Sequence, residues 1–419
     1  MKFIHAADLH IDSPMRGLSR YEGAPEEALR GASRRAFDNL VRAAIEEEVD
    51  LVVLAGDIFD GDWVDFNTGL YFTGRLGELT AEGIKVVALS GNHDAASKLT
   101  RELRLPDGAF KFGHDSAQTI QPDVLGLEVA VHGQSYAKRD VTTNLAAGYP
   151  EPVTGVFNIG VLHTALNGRE GHGNYAPCSE DDLRTLGYDY WALGHVHTRE
   201  IVSRDPWIVF PGNIQGRNIR ETGAKGFTVV TVTDGQVTDV VHREADTARW
   251  FHRPVDATDA ESIDDVADLV RCHLEAIADE ADGRLAAVRV SISGQCGIHD
   301  SLAIQHESLE AAIRSFANEL PDVWVEKILL DTRRMVDRAS LVERHDGMGE
   351  LFATIDSLRG SPEQLVARFS DPFTKLRSKL PRETRTGDGV DPLDPDVLAR
   401  ALDAAESHIL AVLADGRPS

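Results

Sequence analysis

Short apolar runs alternate with stretches of helical periodicity along the first hundred residues. Phe3 to Ala7, Leu51 to Ala55 and Lys85 to Leu89 have the length and apolarity of strands buried on both faces. Between them, Ala36, Phe37, Leu40, Val41, Ala44 and Ile45 recur at helical spacing, and Leu70 to Leu79 is helical again. Residues 13 to 31 hold Pro14, Gly17, Gly23, Pro25 and Gly31 and read as loop. Strand, helix, strand, helix, strand predicts an α/β fold. Further strands are expected over Leu125 to Val131, Val156 to Leu162, Tyr188 to Leu193 and Trp207 to Phe210, with a Gly- and Asn-rich loop at 166 to 177. Phe227 to Val232 and Val237 to His242 flank Asp234-Gly235 and predict a hairpin whose turn Gln236 lengthens beyond two residues.

The pattern changes near residue 245. Trp250 to Val255 reads as a strand, and Ile263, Val266, Leu269, Val270, Leu274 and Ile277 as an amphipathic helix. A strand over Leu285 to Ile292, a helix over Leu309 to Leu320 and a strand over Val323 to Leu330 follow. The expected domains are therefore 1–245, a small α+β cap at 246–335, and a C-terminal helical segment at 336–419. Within the last, residues 381–395 are rich in Pro, Gly and charge and read as a linker. The final helix, Val397 to Leu413, carries Leu398, Leu402, Ile409 and Leu413 along one stripe. Such a stripe must be covered, and the reading favoured here is a partner protein over the chain itself or a homodimer.

Each run of the first domain delivers metal-capable side chains. Asp8 and His10 follow the first, Gly56-Asp57 the second, and Gly91-Asn92-His93-Asp94 the third. His163 ends the run at Leu162, and Gly194-His195-Val196-His197 follows Leu193. Residues i and i+2 of extended backbone project to one side, so Asp8 with His10, and His195 with His197, form pairs. Alone, each group has an ordinary explanation as a cap or turn. Together and in order, at the carboxyl ends of strands where open α/β sheets place their sites, they read as ligands of a metal hydrolase. A carboxylate between two divalent ions reduces their repulsion, and two ions about 3.5 to 4 Å apart clamp the attacking and leaving oxygens of a phosphoryl transfer. Mixed nitrogen and oxygen donors suit manganese, iron or zinc.

These five groups resemble the motifs of calcineurin-like metallophosphoesterases over roughly residues 1 to 245. Gly56-Asp57-Ile58-Phe59-Asp60, with the added cap and helical tail, is similar to the SbcD-like DNA repair exonucleases. Pro211-Gly212-Asn213-Ile214-Gln215-Gly216-Arg217 looks closest to their YhaO-type members. The resemblance implies an α/β sandwich of two mixed sheets flanked by helices. It implies one metal on Asp8, His10, Asp57 and His197, and a second on Asp57, Asn92, His163 and His195, manganese being the expected ion. His93 would be the catalytic acid and Asp94 would orient the imidazole or its loop. Asn213 and Arg217 are candidates for substrate contact. The role of Asp60 stays open. The implied activity is a DNA exonuclease, with endonuclease activity a further option, working with an SMC-like coiled-coil ATPase. No Gly-x-x-x-x-Gly-Lys-Ser/Thr loop occurs in this chain, so ATP dependence must come from another polypeptide.

Composition narrows these expectations. With 43 basic and 68 acidic residues, the net charge of −25 excludes a general polyanion binder. DNA contact must then come from divalent ions or a local basic patch, and Lys375, Arg377, Lys379, Arg382 and Arg385 form the one dense basic run. Arg217 and Arg220 divide between phosphate contact and surface salt bridges. Cys178, Cys272 and Cys296 are dispersed and fit a reducing cytoplasm, with Cys272 expected in a helix core. No run is long enough to span a membrane. His5, His114, His132, His172, His242 and His252 lack partners at ligand spacing and are expected as surface or satisfied core. A small-molecule phosphodiesterase, acting on a cyclic nucleotide or nucleotide anhydride, uses the same metal site, but it needs no cap and tail. An inactive scaffold needs no complete ligand set.

Overall fold

The computed structural model describes residues 1–15, 18, 23–61, 66–95, 103–168, 173, 175–335, 338–379 and 395–415. Residues 381–394 of the linker, with Arg382 and Arg385 of the basic run named above, lie outside them. Two compact units are present, one of residues 1–253, 272–290 and 314–327, the other of 254–271, 291–313 and 328–419.

The first unit holds two six-stranded mixed sheets. One has the order β12-β11-β1-β2-β3-β4, from Lys2–Ala6 (β1), Leu51–Ala55 (β2), Lys85–Leu89 (β3), Ala109–Lys111 (β4), Gly226–Thr233 (β11) and Gln236–Glu244 (β12). The other has the order β5-β6-β7-β8-β10-β9. Its strands are Gln118–Ile120 (β5), Val129–Gly133 (β6), Phe157–His163 (β7), Tyr190–Gly194 (β8), Glu200–Arg204 (β9) and Trp207–Phe210 (β10). β1 to β4 are parallel, as are β6, β7, β8 and β10, while β11, β12, β5 and β9 run antiparallel to their neighbours.

Alternation along the central strands explains their unbroken apolarity. Phe3, Val53 and Val87 point between the sheets to meet Val131, Ile159 and Tyr190. Their neighbours Ile4, Val52 and Val86 point outward, against Phe37 and Leu40 of the helix Ala32–Glu46 and Leu76 of the helix Asn67–Ala81. Trp191, Leu193 and Ile208 face outward on the second sheet. Both faces of the central strands are thus covered.

Several expectations change. The loop at 13 to 31 contains a helix, Glu26–Arg30, with an Arg30–Glu26 pair one turn apart at 3.1 Å. The strand expected at Leu125 to Val131 is instead a helical turn, Pro122–Leu125, and then β6. Pro122 opens that turn, and Gly126, at φ 70°, ends it. The short strands β4, β5 and β9 gave no periodic signal, being brief or polar. Gln236 does not lengthen the hairpin turn. It pairs with Thr233, and Asp234 and Gly235 have φ of 52° and 73°, as a two-residue turn requires.

Three further strands, Ala248–Asp256 (β13), Leu285–Cys296 (β14) and Val323–Arg334 (β15), form a sheet in sequence order. Helices Ile263–Ala281 and His306–Glu319 lie between successive strands in the sequence. Cys272 is exposed, a correction to its core placement, because Val266, Val270, Leu274 and Ile277 take the buried face.

In the second unit, the helix Pro395–Asp415 packs on its own chain. Leu398 is buried, and Glu406 receives Arg338 at 2.5 Å and also pairs with Arg359. Arg359 adds Asp403 at 2.7 Å. These contacts cover the face of the helix that carries Leu398 and Glu406, while Leu402 and Ile409 stay partly exposed. Leu398 and Glu406, two turns apart, both lie on the chain-facing side. Glu406→Ala would remove the carboxylate that Arg338 and Arg359 share, leaving them Asp356 and Asp403. We expect it to loosen the docking of residues 395–415, read as faster amide exchange confined to that helix and its contacts.

Candidate metal centre

The site sits where strands from both sheets end. The chain leaving β1 runs beside the chain leaving β2, with Asp8 N–H donating to Gly56 O at 3.0 Å and His10 N–H to Asp57 O at 3.1 Å. Asp8, His10, Asp57 and His195 hold left-handed backbone, at φ 52°, 43°, 49° and 98°. Such residues cost on the order of 1–3 kcal/mol each and persist only where surrounding contacts fix them.

Three groups of ligand-capable atoms lie within 4.8 Å of one another: Asp8, His10 and His197; Asp57, His163 and His195; and His10, Asp60 and His93. His10 Nε2 and His197 Nε2 are 3.3 Å apart, and His197 Nε2 is 3.7 Å from Asp8. His163 Nε2 is 3.0 Å from Asn92 Oδ1 and 3.4 Å from Asp57. Asp57 Oδ1 also accepts His93 N–H at 2.9 Å. The structure therefore brings together Asp8, His10, Asp57, Asn92, His163, His195 and His197, from five separate stretches of chain.

The donor set fits divalent ions. His163 donates Nδ1–H to Ala55 O at 2.9 Å, which leaves Nε2 as the atom facing Asp57 and Asn92, a lone pair once its proton is lost. His195 donates Nε2–H to Gly173 O at 2.8 Å, leaving Nδ1. His197 Nδ1 meets Glu221 at 2.8 Å, leaving Nε2. Outer partners of this kind fix the tautomer of metal-binding histidines. Space is fixed as closely. A methyl on Gly91 would lie 2.3 Å from Asp57 Oδ1, and one on Gly194 would lie 2.0 Å from Ala55 O.

Burial opposes charge on these groups, and their mutual attraction answers it. Asp57 is fully buried, which alone would raise its pKa, yet His163 and its other imidazole neighbours hold it well below the usual carboxylate range. His163 is likewise depressed by burial but lifted to about 9 by Asp57. Burial pushes Asp8 up against the pull of His197 and His163, and pushes His10 well down.

The candidate catalytic residues separate. His93, 30 % exposed, is the histidine most open to a substrate, and its Nδ1 lies 2.7 Å from Asp60. Burial is the strongest influence and lowers its pKa, but the Asp60 hydrogen bond and the charges of Asp57 and Asp60 together outweigh it, and the net shift is upward. Asp60 also accepts Ser13 Oγ–H at 2.7 Å and lies 3.6 Å from Arg217. Asp94 does not orient His93. It is fully buried and accepts Ile58, Phe59 and Gly91 N–H at 3.1, 2.9 and 3.0 Å, bracing the loop. Burial, then Asp57, pushes its carboxyl up to about 6.

Asn213 is also fully buried, its amide committed to Gln215 O and Glu221 at 2.8 and 2.9 Å, so its side chain presents nothing to a substrate. Arg217 is paired with Glu221 at 2.9 Å inside the site, neither a surface salt bridge nor a free cation. Glu221 and the pairing role of Asp60 were missed from sequence. Glu221 lies 24 residues from His197, and no spacing rule links them. His5 is satisfied core, bonded to Tyr190 and Leu193 and lowered to about 3 by burial. His132 bonds Thr119 and Asn158. His114 is exposed, His242 and His252 lie outside the three groups, and His172 is outside the described residues.

Two mixed sheets with histidine and carboxylate groups converging at their strand ends define a metal-dependent phosphoester hydrolase. The chain belongs to the calcineurin-like phosphoesterase family, whose model matches residues 1–199. Residues 250–333 match a second model, "Metallophosphoesterase YhaO, middle domain". The chain is 32% identical over 361 residues to the metallophosphoesterase YhaO of Bacillus subtilis (strain 168), covering 85% of this chain and 87% of that protein. A dimetal phosphatase from Danio rerio aligns at 13% identity with a TM-score of 0.34, over 56% of this chain and 93% of its own. Among the described residues, no helix is long and apolar enough to cross a membrane.

Two outcomes follow from the geometry. Gly91→Ala should lower metal content, since the added methyl meets Asp57 at both Oδ1 and the backbone nitrogen; elemental analysis of the purified variant, with circular dichroism as a control for folding, tests this. At neutral pH, His163 carries a proton that a cation must expel. Ion binding should therefore release protons, and affinity should rise with pH towards 9. Calorimetry in buffers of different ionisation enthalpy measures this release, and a buffer-independent enthalpy would contradict it.

Proposed function

We propose that the chain is a two-metal phosphodiesterase acting on DNA. The observation that carries the metal chemistry is the buried position of Asp57, whose Oδ2 lies 3.4 Å from His163 while its charge also acts on His10 of the neighbouring ligand group. The first ion would be held by Asp8, His10, Asp57 and His197, and the second by Asp57, Asn92, His163 and His195. Bound divalent ions stabilise the charge on the phosphoryl group and activate the attacking water. The mixed donors and the family likeness favour manganese.

The chain's own residues supply positioning and a proton. Asp60 holds Nδ1 of His93, so Nε2 is the atom available to protonate the leaving oxygen. The carboxylate also favours the protonated imidazole before transfer. Asp94 keeps Gly91 and the chain after Asp57 in place, which fixes the backbone that carries His93 and Asn92. Arg217 adds positive charge beside Asp60.

The DNA assignment rests on the likeness to SbcD-like exonucleases and on the region matching the YhaO middle domain, which a small substrate does not require. The same likeness supports an SMC-like coiled-coil ATPase as partner. A cyclic nucleotide or nucleotide anhydride is the second reading, since the metal chemistry serves either. Hydrolysis of single-stranded and duplex DNA with manganese, beside bis-para-nitrophenyl phosphate, separates them: cleavage of the small diester alone would favour the second.

Asp57→Asn should lose metal and all hydrolysis together. His93→Ala should retain both ions while turnover falls by about 10² to 10⁴. Loss of metal from the His93 variant would make that histidine a ligand and overturn its role.

A further inference from the structure

The outward nitrogens of the candidate ligand histidines are not held alike. His163 and His195 are tied to backbone carbonyls, of Ala55 and Gly173. His197 is tied to a carboxylate, Glu221 Oε1, at 2.8 Å. Glu221 is itself nine-tenths buried and fully engaged. Its Oε2 accepts Asn213 Nδ2–H at 2.9 Å and Arg217 N–H at 2.8 Å, and Arg217 Nη2 reaches Oε1 at 2.9 Å. The same stretch grips the backbone of His197. Lys225 Nζ donates to His197 O at 3.2 Å, and Asn213 N–H points to the same oxygen at 3.4 Å. Residues 213–225 thus surround one ligand while supplying none of the ligand groups.

We propose that Glu221 is the positioning residue of the first ion: it holds the His197 ring with Nε2 turned toward Asp8 and His10, and it sets a negative charge against the ring's outer nitrogen. A neutral carbonyl can fix a tautomer but brings no charge, so this ligand has a charged support where His163 and His195 have neutral ones. Arg217 is what allows the carboxylate to remain charged when buried, because an unpaired buried carboxylate would be costly. The proposal rests on the two-ion assignment above but is independent of the substrate.

The test uses the full chain, with Glu221→Gln and Glu221→Ala compared with wild type by manganese titration calorimetry and elemental analysis after dialysis. Glu221→Gln is nearly isosteric and keeps an acceptor oxygen, so it covers the case in which the alanine variant misfolds. We expect one ion to bind as in wild type and the other to weaken by about 10- to 100-fold in the alanine variant, and by less in the glutamine variant. Saturating manganese should then restore kcat on the small diester, a rescue that a merely structural role would not show. Unchanged affinity at both sites in both variants would overturn the proposal. So would equal weakening at both sites. A wild-type chain that binds fewer than two ions would instead remove the two-ion reading beneath it.

Discussion

Asp57 is the constraint on which the rest of the site depends. It is a carboxylate held at full burial, which is tolerable only when hydrogen bonds and opposite charge surround it. Its side chain accepts the His93 amide and lies against His163, and its carbonyl accepts the His10 amide. Three segments, leaving β1, β3 and β7, therefore take their positions from one residue at the end of β2. The left-handed backbone at Asp8, His10 and Asp57 follows from this crowding. These residues must bend sharply out of their strands to place a side chain or an amide at a common point.

The two sheets enter the chemistry through a single seam. His163 ends a strand of one sheet and hydrogen-bonds a carbonyl at the end of β2 in the other. Gly194 leaves the room for that contact. Inter-sheet packing of Phe3, Val53, Ile159 and Tyr190 then sets the distance between ligands from different sheets. A tightly packed core compresses little, so that distance is held by the whole layer rather than by the ligands alone.

Much of this was legible in the sequence because burial and periodicity are local properties. The β2, β3 and β10 runs appear at their expected bounds, and the ligand motifs stand out because each follows such a run. What was not legible depends on contacts between distant residues. Asp94 reads from sequence as orienting either the neighbouring imidazole or its loop, and only the fold decides between them: it is consumed by three loop amides, and Asp60 takes the imidazole. Asn213 and Arg217 sit in a distinctive motif, but a motif does not show which way a side chain points. Leu398 and Leu402 gave an apolar stripe without naming its cover; Arg338 and Arg359 supply the complementary charge from the same chain.

The unequal support of the histidines bears on how such an enzyme can change over generations. A peptide carbonyl persists through almost any substitution at its residue, so the supports of His163 and His195 are largely beyond the reach of single-codon change. The support of His197 is a side chain and can be replaced in one step. Descendants of this chain can therefore retune one half of the centre to a different ion supply or acidity while inheriting the other half intact.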